Sequence, residues 1–295
     1  MSGLEGISCW LGGPALLAAL VGLGFAVGIL TGLFGVGGAF SIVPLLNVAL
    51  GVPYPLAIGS SLCYTVGASA SGLARHIRLG NYEPRSILAL ALAGMVGAVG
   101  GGALNRFAQG ALGGRNYTLM MHGLFMALLV VTAWLIARGE RANASGRTLV
   151  QRLALPPYID LPRAGLRRVS VVGLGLVGAV AGVLAGMMGI GGGVLLIPAL
   201  VLVVGLGPHQ AVGTSLGVVL FSAMAGGTKY ALDEHVSMWV VMPLLIGSVF
   251  GVQLGAWVCQ ALRARQLRRY FALLVLAVAA VLAVDFAAKL LSWKP

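Results

Sequence analysis

The feature that most constrains this chain is a series of apolar segments, several of them long enough to cross a lipid bilayer as helices. About 20 apolar residues span the hydrocarbon layer as an α-helix, and the stretch Pro14–Phe34 has this length and no charge. Charged residues make up only 9% of the 295 residues, against roughly 25% in soluble domains. The sequence therefore predicts an all-α polytopic membrane protein and excludes a soluble enzyme, a nucleic-acid-binding protein and a disordered chain.

The basic residues are concentrated in the connections between the apolar segments. The net charge is +12, but this distribution follows the positive-inside rule, so we expect no nucleic-acid partner. The only long hydrophilic stretch, residues 138–168, holds seven arginines and is interpreted as a cytoplasmic linker between a first membrane repeat (residues 1–137) and a second (residues 169–295). The predicted membrane segments are residues 14–34, 39–50, 55–79, 84–107, 117–137, 169–188, 194–204, 208–232, 237–262 and 270–291.

The second half of the chain repeats the first at a constant offset of 154 residues. The matching pairs include Gly28 and Gly182, Gly37 and Gly191, Pro44 and Pro198, Ser61 and Ser215, and Gly97 and Gly251. Two similar bundles that meet at a pseudo-twofold axis are the architecture of many secondary transporters. Each repeat is predicted to have about five membrane elements and to open with a helical hairpin that glycines interrupt.

The relative orientation of the two repeats depends on residues 169–204. If this stretch is a hairpin, the repeats are inverted and both termini are periplasmic; if it is a single crossing, the repeats are parallel. The four arginines between residues 263 and 269 form a dense basic loop that resists translocation. This loop favours the cytoplasmic side, and therefore the inverted arrangement.

Each predicted hairpin contains a glycine-rich break between two helices. Glycine permits positive φ and close backbone approach, and the helix that follows the break begins with amide groups that have no intrahelical partner. Two such helix starts predict an anion site near the membrane midplane. The alternative is that the glycines only allow tight helix packing.

The hydroxyl residues of the next helix are candidates for the same site, although capping or packing alone explains them equally well. The predicted substrate-binding residues are Gly35, Gly37, Gly38, Ala39, Ser60 and Ser61 in the first repeat and Gly189, Gly191, Gly192, Gly193, Thr214 and Ser215 in the second. Arg75 and Lys229 are matched near the membrane surface. They are candidates for the mouth of the pathway, with interfacial snorkelling as the alternative.

The motif G-x-x-x-G-x-x-G-[VI]-G-G-[AG], an apolar run to proline, and then A-[IV]-G-[ST]-S-L occurs twice. In this, the chain resembles the TauE/SafE family of bacterial membrane exporters for sulfite and organosulfonates. The resemblance covers both halves outside the linker and the termini, and it implies a bacterial cell inner membrane protein. Ala39 departs from the pattern, because the second copy has Gly193 at that position.

The acidic residues are almost absent from the apolar segments. Only Asp285 lies within one, near its end, whereas cation transporters usually keep acids inside the bundle. Three of the four histidines, His76, His122 and His209, fall near segment ends and are expected at the interface. The pattern therefore favours an anionic substrate.

The leading hypothesis is a secondary transporter that exports a small sulfur-containing anion, without a cofactor or metal, in contact with the lipid bilayer and with homo-oligomer formation left open. A non-transporting assembly or sensor subunit is the alternative from another class. An intramembrane serine protease is a weaker alternative, with Ser69-Ala70-Ser71-Gly72 as the nucleophile loop and His122 as base. The second repeat has Ala223 in place of Ser69, and an enzyme has no need to repeat its scaffold.

Overall fold

The computed structural model describes residues 13–142 and 156–291 and is almost entirely helical. Within these residues, eight stretches are long and apolar enough to cross a membrane, so the predicted all-α polytopic fold is confirmed. The helices are α1 (Gly13–Phe34), α2 (Ala39–Leu50), α3 (Tyr54–Arg78), α4 (Pro84–Ala142), α5 (Val171–Met188), α6 (Gly193–Ala199), α7 (Pro208–Leu232), α8 (Met238–Ala261) and α9 (Ala264–Leu291).

Helix α4 supplies two of the eight spans, residues 84–114 and 116–136. The sequence predicts two helices and a connection between residues 107 and 117, but the structure leaves only Gly113 with non-helical angles, φ 67° and ψ 165°. The Tyr117 hydroxyl donates to Asn105 Oδ1 at 2.8 Å, although a straight helix would separate these residues by about 18 Å. The chain therefore reverses sharply at Gly113, where glycine tolerates the positive φ.

Helix α1 runs beside α8 in the same direction, and their backbones are in close contact. A Cβ placed on Gly24 would lie 2.1 Å from the carbonyl oxygen of Leu244, and one placed on Gly28 would lie 2.8 Å from Ser248 Cα. Only glycine permits this spacing, which is typical of helix packing in membranes.

The same contact recurs between α5 and the first span of α4. A Cβ on Gly178 would lie 2.3 Å from the carbonyl oxygen of Leu90, and one on Gly182 would lie 2.1 Å from that of Gly94. Each of these positions lies 154 residues from its counterpart in the α1–α8 contact. The first helix of each half therefore packs against a helix of the other half.

Helix α2 starts against the last turns of α1 and leads back towards the side where α1 begins. Its N-cap residue, Gly38, lies against Val27 and Thr31 of α1, and its last residue is joined by a short connection to the start of α3 at Tyr54. Helix α3 in turn runs parallel to α8, since Gly67 lies against Leu245 and Gly72 against Val252. Helices α1 and α2 thus form a hairpin that returns towards its starting side.

Helices α3 and α7, which match at the same offset, run antiparallel. Gly59 near the start of α3 lies against Tyr230 near the end of α7, whereas Gly72 lies against Leu216. These opposite directions support the inverted arrangement of the repeats. Which end faces the cytoplasm stays a prediction.

A β-hairpin occupies part of the stretch that the sequence assigns to the hydrophilic linker. Strand β1 (Tyr158–Leu161) pairs antiparallel with β2 (Leu166–Ser170). The hairpin packs as part of the core because Leu161 and Val169 are fully buried in a cluster with Leu174 of α5. Helix α5 begins two residues later than predicted, since the Ser170 hydroxyl accepts a hydrogen bond from the Gly173 amide at 3.3 Å and caps it.

Polar contacts fasten this hairpin to the helix ends beneath it. Glu83 is buried and accepts a hydrogen bond from the Arg163 amide at 3.1 Å. The Arg163 guanidinium lies 4.2 Å above the ring of Tyr82, and the Gln210 side chain of α7 donates to the Arg163 carbonyl at 2.8 Å. Residues 156–170 are therefore docked on the starts of α4 and α7.

We expect Gly24→Ala to lower the stability of the protein, because the added methyl group would overlap the carbonyl of Leu244. Overpacking of this kind costs about 1–3 kcal/mol. The matched control is Gly22→Ala in the same helix, where a Cβ meets nothing within 4 Å. Thermal unfolding in detergent, followed by circular dichroism, should show a lower midpoint for Gly24→Ala only. Equal midpoints for the two variants would contradict the close contact of α1 and α8.

We also expect both termini to lie on the periplasmic side. The full chain carrying a C-terminal reporter enzyme that is active only in the periplasm should be active in bacterial cells. The matched fusion to a fluorescent protein that matures only in the cytoplasm should stay dark. The reverse result would place the arginines of residues 263–269 outside and contradict the orientation drawn from the basic loops.

Candidate functional site

The two glycine-rich breaks lie side by side in the interior of the protein. Residues 35–38 and 189–193 are all buried. A Cβ placed on Gly193 would lie 2.4 Å from the Val36 carbonyl oxygen, so the breaks touch directly. The methyl group of Ala39, at the matching position in the first repeat, is buried as well. The structure therefore brings the predicted glycine positions of both repeats together.

The side chains of Thr65 and Val219 lie between Gly37 of one break and Gly191 of the other. A Cβ on Gly37 would lie 2.6 Å from Val219 Cγ1 and 3.0 Å from Thr65 Cγ2. A Cβ on Gly191 would lie 3.0 Å and 3.2 Å from the same two atoms. Thr65 and Val219 are themselves related by the offset of 154, which places them between equivalent glycines at the centre of the molecule.

The breaks adopt a backbone conformation that suits glycine. Positive φ values between 67° and 79° occur at Gly35, Gly37, Gly38, Gly189, Gly191 and Gly192. A side chain at such a residue costs roughly 1–2 kcal/mol through contact of its Cβ with the following carbonyl. The glycine clusters are therefore required by the turn itself as well as by the close packing.

Hydroxyl groups from one half bind the carbonyl groups of the other. Ser215 Oγ lies 2.8 Å from the Gly35 oxygen and 2.8 Å from the Val212 oxygen of its own helix, and Ser61 Oγ lies 2.9 Å from the Gly189 oxygen and 2.8 Å from the Ile58 oxygen of its own helix. Within the first half, Thr65 Oγ1 lies 3.1 Å from the Gly37 oxygen and 2.7 Å from the Ser61 oxygen. In this structure these hydroxyls lie against the backbone of the breaks, and their direct contact with a ligand stays a prediction.

Ser60 and Thr214 lie away from the breaks and serve the connecting loops. Ser60 Oγ accepts from the Ser237 amide at 2.9 Å, and Thr214 Oγ1 accepts from the Glu83 amide at 3.0 Å. Each hydroxyl thus fixes the start of a helix in the opposite half. This contact favours the structural interpretation for these two residues in the conformation observed.

The start of α2 has amide groups without a side-chain cap. Its N-cap Gly38 makes no side-chain hydrogen bond, and the first backbone bonds run from Ser41 and Ile42 to the Gly38 oxygen. The amides of Ala39 and Phe40 come before the first of these backbone bonds and lie at the positive end of the helix dipole. Helix α6 is only seven residues long and continues as a π-helical turn, Leu200–Val204. The two helix starts are therefore unequal.

Three further hydroxyls near the first break were not among the predicted site residues. Ser69 Oγ would lie 3.4 Å from a Cβ on Gly37, and the Tyr64 ring would lie 3.0 Å from one on Gly38. Ser41 stands in the first turn of α2. For Ser69, the missed signal is its spacing from Ser61 and Thr65. Residues four apart lie on one face of a helix, so these three hydroxyls share a face of α3.

Arg75 and Lys229 lie at opposite ends of the molecule, because α3 and α7 are antiparallel. Beside Arg75, His76 Nε2 lies 3.0 Å from the Gly32 oxygen. Beside Lys229, the Tyr230 hydroxyl donates to the Gly186 oxygen at 3.0 Å. The two basic residues therefore mark different ends, and their role in the pathway stays a prediction.

Two of the three histidines expected at the interface are buried within the protein, and their depth in the membrane stays a prediction. His76 and His122 are fully buried, since each binds inside the bundle: His76 at Gly32, and His122 at the hydroxyl of Tyr54, 3.1 Å from Nδ1. Ser69 stands fifteen residues beyond Tyr54 on α3, about 22 Å along the helix. The structure therefore does not bring His122 to Ser69 as a protease would require.

Acidic groups stay away from the breaks in the part of the chain that is described with side chains. Glu83 binds the Arg163 amide, and Asp233 pairs with Arg106. Across the described residues, no group of three histidine, cysteine or acidic side chains could hold a metal ion. The side chain of Asp285 lies outside the described residues.

Comparison with known proteins gives a consistent set of relatives. Residues 20–282 match the family described as Sulfite exporter TauE/SafE. A probable membrane transporter protein of Xylella fastidiosa (strain Temecula1) is 30% identical over 266 residues, which cover 89% of this chain and 93% of the relative. The probable membrane transporter protein YunE of Bacillus subtilis is 28% identical, over 80% of this chain and 86% of the relative. The probable membrane transporter protein MJ0441 of Methanocaldococcus jannaschii is 26% identical, over 86% of this chain and 90% of the relative. No solved structure matches the chain.

We expect Gly37→Ala to destabilise the protein more than Gly51→Ala. Both residues have positive φ, 79° and 62°, so both variants carry the same kind of backbone strain. Only the methyl group at position 37 would also press on Val219 and Thr65; at position 51 nothing lies within 4 Å. The additional loss should be about 1–3 kcal/mol, measured as the difference between the two unfolding midpoints in detergent. If the midpoints coincide, glycine at position 37 serves the turn alone.

Proposed function

Since the chain belongs to the sulfite exporter TauE/SafE family of membrane proteins, whose relatives here are named probable membrane transporters, we propose that it is a secondary transporter that exports a small sulfur-containing anion, sulfite or an organosulfonate. The substrate would pass between the glycine-rich breaks of the two halves. The protein itself would lie in the cytoplasmic membrane of a bacterium.

The observation that carries this proposal is that hydroxyl groups lie against the carbonyls of the breaks, whereas the first amides of α2 have no side-chain cap. The carbonyls of Gly35, Gly37 and Gly189 are engaged by hydroxyls. The first amides of α2 lie beside them without a side-chain cap. A ligand at the start of α2 would therefore meet the amides of Ala39 and Phe40 as hydrogen-bond donors, which favours an anion over a cation.

The helix start gives a modest preference for an anion over a cation. A helix start stabilises an anion by about 0.3–1 kcal/mol when exposed and by up to about 2 kcal/mol when partly buried. Uncapped amides also need a partner in a medium without water. In the closed structure the breaks touch, so binding requires the halves to separate, as in alternating access by rocking of one bundle against the other.

The membrane potential would supply the driving force for export. A potential of 100 mV, negative inside, is worth about 2.3 kcal/mol per charge and drives an anion outwards. For a monovalent anion without a coupled ion, this corresponds to a gradient of about fifty-fold. The potential thus makes an ATP-driven subunit unnecessary.

A non-transporting assembly or sensor subunit remains the second candidate, and it predicts a different behaviour. The breaks would then bind no solute that crosses the membrane. Flux through the purified protein alone separates the two functions.

We expect purified protein in proteoliposomes to move sulfite or a small alkanesulfonate, and to bind either in preference to alkali cations or amines of similar size. Efflux of labelled anion should accelerate when a potassium gradient with valinomycin makes the interior negative. Calorimetric titration in detergent at fixed pH checks the selectivity between these anions and cations. Tight cation binding with no response to any oxyanion would refute the proposal; absence of all flux would favour the subunit role.

A further inference from the structure

The same hydrogen bond caps the last turn of the first helix in each half. His76 Nε2 lies 3.0 Å from the Gly32 oxygen of α1, and the Tyr230 hydroxyl donates to the Gly186 oxygen of α5 at 3.0 Å. His76 matches Tyr230, and Gly32 matches Gly186, at the offset of 154 residues. Both carbonyls belong to helices that stop just beyond them, where carbonyl groups lack an intrahelical partner. The two side chains therefore perform one structural task with different chemistry.

Each of these side chains lies where the two halves of the protein meet. A Cβ placed on Gly213, near the start of α7, would lie 3.1 Å from His76 Cβ. A Cβ placed on Gly59, near the start of α3, would lie 3.1 Å from Tyr230 Cβ. Because α3 and α7 are antiparallel, the two contacts lie at opposite ends of the molecule. Separation of the halves at one end would therefore expose His76, and separation at the other end would expose Tyr230.

Of the two side chains, only the histidine can change its charge near neutral pH. A carbonyl oxygen only accepts, so His76 Nε2 carries the proton in the bond to Gly32. The other ring nitrogen, Nδ1, is buried and has no hydrogen-bond partner within the described residues, and the residue as a whole is fully buried. A second proton would place a charged N–H there without an acceptor, which is costly in a protein interior.

The charged groups around the ring add to this cost. Arg75 of the same helix and His209 at the start of α7 both act against a positive charge on the ring. Glu83, in the connection after α3, accepts a hydrogen bond from the Arg163 amide of the β-hairpin. From α1 the ring meets a backbone carbonyl, and α8 contributes the Cys259 carbonyl, which lies 3.1 Å from His209 Nε2. The observed conformation therefore favours the neutral imidazole.

We propose that His76 is a proton-operated latch: the neutral ring holds its end of the protein closed, and the uptake of one proton by the ring opens that end. This inference rests on the proposed transport function, since a latch matters only where the halves separate. Once the end is open, water reaches the imidazole, which takes up a proton at about pH 6.5. Tyr230 holds the other end with a phenol, which keeps its proton up to about pH 10, so that end does not respond.

Linkage fixes the direction and the size of the response. A proton that binds only to the open form shifts the equilibrium towards opening as the pH falls, by about tenfold between pH 7.5 and pH 5.5. In the predicted orientation the end that His76 holds faces the cytoplasm. Acidification of the cytoplasm would therefore open the side from which an exported anion enters.

The test is amide hydrogen exchange of the full-length protein in lipid nanodiscs at pH 7.5 and pH 5.5, read by mass spectrometry and corrected for the intrinsic pH dependence of exchange. Residues 79–83 and 208–213, at the end that His76 holds, should exchange about tenfold faster at the lower pH. Residues 54–60 and 233–237, at the end that Tyr230 holds, should keep the same corrected rate.

Three variants locate the sensor. His76→Gln keeps a side-chain donor for the Gly32 carbonyl but does not titrate, so it should lose the response to pH. His209→Gln is the matched control, because it removes the neighbouring histidine at the same end, and it should keep the response. The converse variant Tyr230→His should add a response to pH at the other end.

The outcomes separate the latch from the transport function, which sulfite flux in proteoliposomes measures independently. Equal exchange at both pH values in the wild-type protein, or a response at both ends, overturns the latch and leaves the transport function standing if sulfite moves. A response that persists in His76→Gln, or that is lost in His209→Gln, also overturns the latch. A response confined to the His76 end, together with an absence of flux, supports the latch and refutes the transport function. The wild-type comparison needs no variant, so the inference can be overturned even if a substitution prevents folding.

Discussion

Two hydrogen bonds exchanged between the halves are the interaction on which the interior of this protein depends. Ser215 binds the carbonyl of Gly35, and Ser61 binds that of Gly189. A helix that stops inside a membrane leaves carbonyl groups that lipid cannot satisfy. Each repeat supplies a hydroxyl to the break of the other half, and this contact satisfies a carbonyl of the partner's interrupted helix.

The glycine contacts between the long helices also join one half of the protein to the other. Helix α1 packs on α8 and α5 packs on α4 through direct backbone contact. The hydrophobic effect contributes little between helices in lipid, so association depends on close packing of small residues. The long helices therefore hold the hairpins in position, while the hydroxyls fix the conformation of the breaks.

Much of this could be predicted from the sequence, because the repeat copies the glycines that the contacts require. The offset of 154 residues identifies Gly28 and Gly182 as equivalent. It does not say that Gly28 meets Ser248 of the other half, which only the three-dimensional arrangement reveals. The docked β-hairpin was likewise not predictable, since only Leu161 and Val169 mark its buried side within an arginine-rich stretch.

The candidate site was predictable where the two halves agree and obscure where they differ. Ser61 and Ser215 stand out because they match, yet the structure shows both engaged with backbone carbonyls. Ser69 has no matching hydroxyl, and comparison of the repeats therefore ranks it low.

The pairing of α1 with α8 has a consequence for biosynthesis. The contacting positions of these helices are 220 residues apart, as in Gly24 and Leu244, so α1 enters the membrane long before its partner is translated. Its glycine face must stay in contact with lipid or with the insertion machinery until Met238–Ala261 has been threaded alongside it. Helix α5, by contrast, finds its partner α4 already inserted. The two halves, although similar in sequence, therefore assemble by different routes, and the N-terminal helix is the last to acquire its native neighbour.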